Sequence, residues 1–183
     1  ELGIHPLVLE DIMNTTQRTK VEDYDDYLYI VVKSLSSQIG DIEPGIRQVS
    51  IILSRHYVIS FHEHKDKLFD IITSRIKVKG GRFRKHGVDY LLYAVLDISV
   101  DQYLTSIEKI NDEIIEIERQ ILIDEIDSYY RRLHELRQDI IHLRGKVTPL
   151  EELLQTIIRD DDPLVSNEIK VYFRDVLDHA RRI

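Results

Sequence analysis

Two runs of apolar residues, each stepping alternately by four and by three, constrain this chain more than any other feature. The first is Leu96, Val100, Tyr103, Ile107, Ile110, Ile114, Ile117 and Ile121. The second is Leu133, Leu136, Ile140, Leu143, Val147, Leu150, Leu154 and Ile157. This spacing is the seam of a helix that packs lengthwise against another helix. The break between the runs falls near Asp124 to Ser128, and two helices with a short connection pack antiparallel. A helix of about 35 residues is on the order of 50 Å long, so the hairpin is expected to protrude from a smaller first part. Pro149, inside the second run, is expected to kink it.

Before Val88 the pattern is different. His5-Pro6-Leu7-Val8-Leu9-Glu10-Asp11-Ile12 reads as a short helix, with Pro6 at a first position where its missing N–H costs nothing. Tyr27 to Val32 is a β-rich run, and Gly40 with Pro44-Gly45 marks a loop. Val49 to Leu53 and Tyr57 to Phe61 read as two strands around a tight turn at Arg55-His56. Lys67 to Val78 places Leu68, Ile71, Ile72 and Ile76 on one helical face, and Gly80-Gly81 ends it. Asp160-Asp161-Asp162-Pro163 is a break, after which a third helix begins in or after Ser166-Asn167-Glu168 and runs to the end. The expected fold is therefore α/β: a small β-sheet flanked by helices over 1–87, a long antiparallel helical hairpin over 88–163, and the start of a further helix over 164–183.

Charge and composition narrow the function. The chain has 183 residues with 43% hydrophobic and 32% charged residues, as a folded domain does, and a net charge of -8. That charge argues against nucleic acid as a partner and for cations or basic surfaces. The absence of cysteine removes disulfides, thiolate-bound zinc and thiol catalysis, and fits a reducing compartment. The longest apolar run, Tyr90 to Leu96, is far short of a membrane span, and no signal peptide is visible. The chain opens on Glu1 and closes on Arg181-Arg182-Ile183 without a helix stop, so both ends read as cuts in a longer protein.

Several groups of side chains could carry chemistry. Glu10 and Asp11 lie toward the C-terminal end of a short helix, where the helix dipole disfavours negative charge, and such breaks of a local rule cluster at functional sites. Asp97 and Asp101 are four apart, hence on one helix face, and Asp97 follows a strongly apolar stretch. Glu108 to Asp127 is dense in acids and reads either as a solvated face or as a cation-attracting surface. His62-x-His64 at a strand end puts two rings on one face, a pair that could clamp a transition metal if further ligands joined it. Asp160 to Asp162 read as linker and cap. In each case ordinary solvated carboxylates are the plain alternative. There is no nucleophile motif, phosphate-binding loop or dinucleotide fingerprint, and nothing points to an enzyme.

Four strings in register resemble the CorA family of magnesium transporters: His5 to Ile12, Gln17-Arg18-Thr19-Lys20-Val21-Glu22, Asp89-Tyr90-Leu91-Leu92-Tyr93, and Tyr172-Phe173-Arg174-Asp175-Val176-Leu177-Asp178-His179. The resemblance covers essentially the whole chain. It implies the cytosolic part, α/β/α-like with an acidic hairpin and a long helix leading to the pore, of a homopentameric channel on the cytoplasmic face of a prokaryotic membrane. It implies a regulatory Mg²⁺, for which Co²⁺ or Ni²⁺ can substitute, held between subunits. By the matching strings, Asp11 of one subunit would face Asp175 of the next, and Glu10 and Asp97 match the acids of a second, nearby position. The implied partners are other copies of the chain and divalent cations, with no nucleic acid. Membrane contact would come only through C-terminal helices that this sequence lacks, along with the Gly-Met-Asn pore signature and the opening strands of the sheet. The same domain of a related zinc transporter, and a coiled-coil interaction module whose acids merely solvate it, are the alternatives.

Overall fold

The computed structural model describes residues 2–36, 45–62, 67–121 and 127–183. Helix α1 (Pro6–Met13) starts at an N-cap His5 whose ring Nδ1 accepts the Leu7 N–H at 3.2 Å, with Pro6 at the first turn as expected. Strands β1 (Lys20–Asp23), β2 (Tyr27–Ser36), β3 (Gly45–Ser54) and β4 (Val58–His62) form an antiparallel sheet in sequence order. The pairing sets Ile30 opposite Ile51 and Val32 opposite Val49.

The sheet is buried on both faces, which explains why β2 reads as a continuous apolar run rather than an alternating one. Leu28, Ile30 and Val32 with Val49, Ile51 and Leu53 face the large core. Tyr27, Tyr29 and Val31 with Ile52 face the other way and pack with Val8 of α1. The two-residue period of a strand thus feeds two helical layers from one sequence. Buried Gln48 fastens the end of α1 to the sheet by donating to the carbonyls of Asp11 (3.4 Å) and Asn14 (3.2 Å), two of the acceptors a helix end leaves without partners.

Helix α2 (Lys67–Lys77) buries Leu68 and Ile72 and gives way at Gly80, whose φ of 77° is cheap only for glycine. A 3₁₀ turn at Arg82–Arg84 then leads to α3, one continuous helix over Val88–Ile121, and α4 spans Asp127–Arg159 with Pro149 inside it. The α/β class expected from the sequence, a sheet with flanking helices and a long hairpin, is the fold observed. The seam side chains are its glue: Leu96, Val100 and Tyr103 from α3, and Leu136, Leu143, Val147, Leu150, Leu154 and Ile157 from α4, are all buried. Tyr103 also anchors α3 to the sheet by donating to the Lys33 carbonyl at 2.9 Å, and Ser34 donates to Gln102 at 2.9 Å.

Helix α5 (Asn167–Ala180) lies against both α3 and α4. After Ala180 the Arg182 and Ile183 N–H groups bond three residues back, to His179 and Ala180. The start of α5 is tied to that of α3. Asp89, buried at the head of α3, accepts from the Ser166 N–H at 3.0 Å and the Ser166 hydroxyl at 2.7 Å. One turn on, the rings of Tyr93, Tyr172 and Phe173 meet. The two helices thus advance side by side in the same direction.

Candidate metal site

That parallel start decides what meets further along. Two turns beyond Asp89, α3 presents Asp97 and then Asp101. The corresponding turns of α5 present Asp175 and then His179. Both pairs are spaced four apart and so lie on one face of their helix. One ligand atom each of Asp97, Asp101 and His179 falls within 4.8 Å of the others. Asp175 borders the group, its Oδ1 4.0 Å from His179 Nε2.

The electrostatics at Asp97 are those of a carboxylate whose burial and acidic neighbour outweigh the groups that favour its charge. Asp97 is half-buried, and burial first and the charge of Asp101 second push its carboxyl above the usual aspartate range; the Tyr93 hydroxyl, Arg75 and His179 pull the other way without winning. Tyr93 feels the same environment, its phenol pushed up by burial and then by Asp97. The buried Nδ1 of His179 has no hydrogen-bond partner among the described residues. Two carboxylates and an imidazole gathered at one half-buried spot fit a divalent cation on their donor chemistry. Carboxylate oxygens suit Mg²⁺ with water filling its remaining positions, and the imidazole adds affinity for Co²⁺, Ni²⁺ or Zn²⁺.

Glu10 and Asp11 are placed elsewhere, at the end of α1. Glu10 is exposed. Asp11 is engaged at both oxygens: Oδ1 accepts from Gln17 Nε2 at 2.9 Å and Oδ2 from Lys20 Nζ at 2.7 Å. The charge that broke a helix rule is answered by a lysine across the turn into β1. Lys20 also reaches Glu22 Oε1 at 2.7 Å. Burial opposes the charge on Lys20, but its hydrogen bonds to Asp11 and Glu22 outweigh that, and the ammonium is held above the ordinary lysine range. The four acids singled out from sequence thus fall in two groups, Asp97 with Asp175 and Glu10 with Asp11.

The acidic run of α3 is partly spent on the hairpin itself. Arg132 of α4 donates from Nη2 to Glu113 Oε2 at 2.9 Å, and this pairing holds the Glu113 carboxyl below its usual range. Arg119 lies 3.8 Å from Glu116. Of the His62-x-His64 pair, His64 is outside the described residues; the His62 ring stacks on Phe69 at 4.4 Å between centroids. Lys170, buried on α5, donates to the Asp160 carbonyl at 2.7 Å and to Asp161 at 3.3 Å, so that part of the acidic triplet serves as linker and cap. His179 is the residue the sequence reading passed over. Its signal was the four-residue step from Asp175, the same step that links Asp97 to Asp101.

Comparison with known proteins places these features in a family. The family model described as CorA-like Mg2+ transporter protein matches residues 1–183. The chain is 41% identical over 181 residues to the cobalt/magnesium transport protein CorA of Thermotoga maritima, an alignment that takes in 99% of this chain and 52% of that protein. The chain spans about half the length of the curated relatives it matches. Among solved structures, the soluble domain of CorA from Methanocaldococcus jannaschii aligns with a TM-score of 0.77 at 20% identity, over 92% of this chain and 66% of that one. The ZntB cytoplasmic domain from Vibrio parahaemolyticus aligns with a TM-score of 0.83 at 13% identity, over 98% of this chain and 70% of that one. These two likenesses are of fold. No helix of the described residues is long and apolar enough to cross a membrane.

Proposed function

The chain belongs to the CorA-like Mg2+ transporter family, and on that premise we propose that it is the cytosolic, divalent-cation-sensing domain of a CorA-type channel for Mg²⁺, with Co²⁺ or Ni²⁺ able to substitute. The observation that carries the reading is the grouping of Asp97, Asp101 and His179 between α3 and α5, with Asp175 at its edge. Residues 1–87 would form its α/β part, 88–163 the hairpin and 164–183 the approach to a pore helix.

Glu10 and Asp11 sit apart from Asp97 and Asp175 in one chain, which accords with a cation held between copies in a homopentamer: Asp11 of one subunit toward Asp175 of the next, and Glu10 with Asp97 at a second position. The metal would neutralise these carboxylates, and the protein residues would set their spacing and dryness. Without it, two carboxylates facing at about 5 Å repel by roughly 3 kcal/mol at an effective dielectric near 20. Repeated around a ring, this tilts the assembly away from its closed arrangement, and bound Mg²⁺ restores it. The result is feedback by differential affinity for two states. The membrane part of such a channel would lie in C-terminal helices outside this sequence, and the domain would sit on the cytoplasmic face.

The test is ion flux through the full-length protein in liposomes. Uptake should fall as Mg²⁺ on the domain's side rises. Asp175→Asn and Asp97→Asn should each move that inhibition to higher Mg²⁺, and unchanged inhibition in both variants would place the sensor elsewhere. His179 supports a second reading, the corresponding domain of a zinc transporter, because imidazole favours Zn²⁺ over Mg²⁺. Competition between the two ions for the same site separates them: Zn²⁺ saturating at a level where Mg²⁺ has no regulatory effect favours the zinc reading.

A further inference from the structure

Lys20 occupies the position a cation at Asp11 would need. Its Nζ lies 2.7 Å from Asp11 Oδ2 while Gln17 covers Oδ1, so both carboxylate oxygens already hold a donor. The pair is sheltered, with about a quarter of each side chain exposed. The ammonium is shared: it lies equally close, at 2.7 Å, to Glu22 Oε1. Lys20 and Glu22 are alternate residues of β1 and so share a face of the strand. Beneath the ammonium is the ring of Tyr29, 5.4 Å from its centroid, and beyond it the Tyr24 hydroxyl donates to Glu22 Oε2 at 3.3 Å. The lysine therefore has two carboxylate seats within one swing of its flexible stem, and the second seat is itself held in place.

We infer that Lys20 is a tethered competitor for the divalent cation at Asp11, and that Glu22 receives it when the cation arrives. The inference rests on the reading of Asp11 as a cation ligand. A divalent ion that approaches Asp11 meets a carboxylate already half neutralised and must share it with a fixed positive charge or displace that charge. Release of Asp11 by the ammonium, which keeps its contact with Glu22, frees Oδ2 without leaving the sheltered lysine unpaired. Two consequences follow for the regulatory cycle. The threshold for Mg²⁺ is raised above what two bare carboxylates would set. The metal-free assembly is also cushioned, because Lys20 offsets part of the repulsion at Asp11.

The experiment measures the Mg²⁺ concentration that half-protects the full-length protein from protease, using Mg²⁺ alone as the probe. Lys20→Met should lower that midpoint by roughly threefold to fivefold, the upper range of what an ion pair of this exposure contributes. Lys20→Arg should restore the wild-type midpoint. Glu22→Gln should raise the midpoint, because the lysine loses its second seat. Glu22→Gln on top of Lys20→Met should change nothing further, a non-additivity that a merely structural glutamate would not produce. Asp11→Asn separates the two claims. A midpoint unaffected by Asp11→Asn overturns the ligand reading and this inference with it. If Asp11→Asn shifts the midpoint while Lys20→Met leaves it unchanged or raises it, the ligand reading stands and the competitor role is overturned. Should Lys20→Met fail to fold, Glu22→Gln decides alone, and an unmoved midpoint there overturns the proposal.

Discussion

Asp11 and Asp97 come from similar-looking sequence contexts and end in opposite electrostatic settings. Asp11 is compensated within its own chain, between Gln17 and Lys20. Asp97 is surrounded by further acid and by burial, and its carboxyl is pushed up rather than down. On the proposed reading, one end of a cation site is stable without metal and tunable by a competing side chain, and the other is destabilised until metal comes. The difference arises from what packs alongside. Asp11 lies beside an edge strand rich in polar side chains, where a lysine fits. Asp97 lies between two helices whose neighbouring turns supply aromatic rings and other ligand-type groups.

The largest expected effect separates the two regions by metal response. A ligand present at a hundred times its Kd stabilises a native state by about 2.7 kcal/mol, worth roughly 5–10 °C in a domain of this size. Saturating Co²⁺ should raise the melting temperature of the protein by that order. Asp97→Asn should lose most of the rise, and so should His179→Ala. In the monomeric chain, Asp11→Asn should keep it. Loss of the response in Asp11→Asn alone would reverse the comparison.

A smaller effect concerns pH without metal. Because the native Asp97 carboxyl binds its proton more tightly than an unfolded aspartate, the native state holds more protons than the unfolded one in the interval above 3.8. Stability from this group is therefore full below that value and declines as pH rises through the raised native pKa. Asp97→Asn should be more stable than wild type at neutral pH in chelator, with the advantage gone by about pH 3.5. Denaturant melts at the two pH values check it, and a variant less stable than wild type at pH 7 would show that the ionised Asp97 is well compensated.

Smaller still is the contribution of Lys20 to folding. Lys20→Met should cost about 1 kcal/mol or less in chelator, as exposed to half-buried ion pairs do, and less again at high salt. The hairpin pairing is the weakest lever. Arg132→Ala should cost under about 1 kcal/mol and leave the Co²⁺ response unchanged. A change in that response would bring the acids of α3 beyond Glu108 into the site.

Much of the fold was legible because its signals are local. The alternating four-and-three spacing located α3 and α4, and Pro6, Gly80 and Ser166 marked ends and starts that the chain uses. Strand β1 was not legible as a strand: Lys20 to Asp23 carries a single apolar residue, Val21, and its pairing with β2 supplies the rest. The extent of β2 to Ser36 was missed for a similar reason, since Lys33 and Ser34 look like a strand end but take tertiary partners. For the candidate site, Asp97 and Asp101 stood out through their shared helix face. His179 did not, because its place beside them depends on α3 and α5 starting together at Asp89 and Ser166, a contact between residues 77 apart in sequence. Lys20 escaped notice in the same way: only the fold of the turn after α1 shows which carboxylate it chooses.

Crystals of the protein soaked in Co²⁺ and measured at the cobalt absorption edge test the central claim most directly. An anomalous peak within coordination distance of Asp97, Asp101 and His179 is the predicted result, absent in crystals of Asp97→Asn. A map with cobalt bound elsewhere, or nowhere, while that cluster holds no peak would contradict the account.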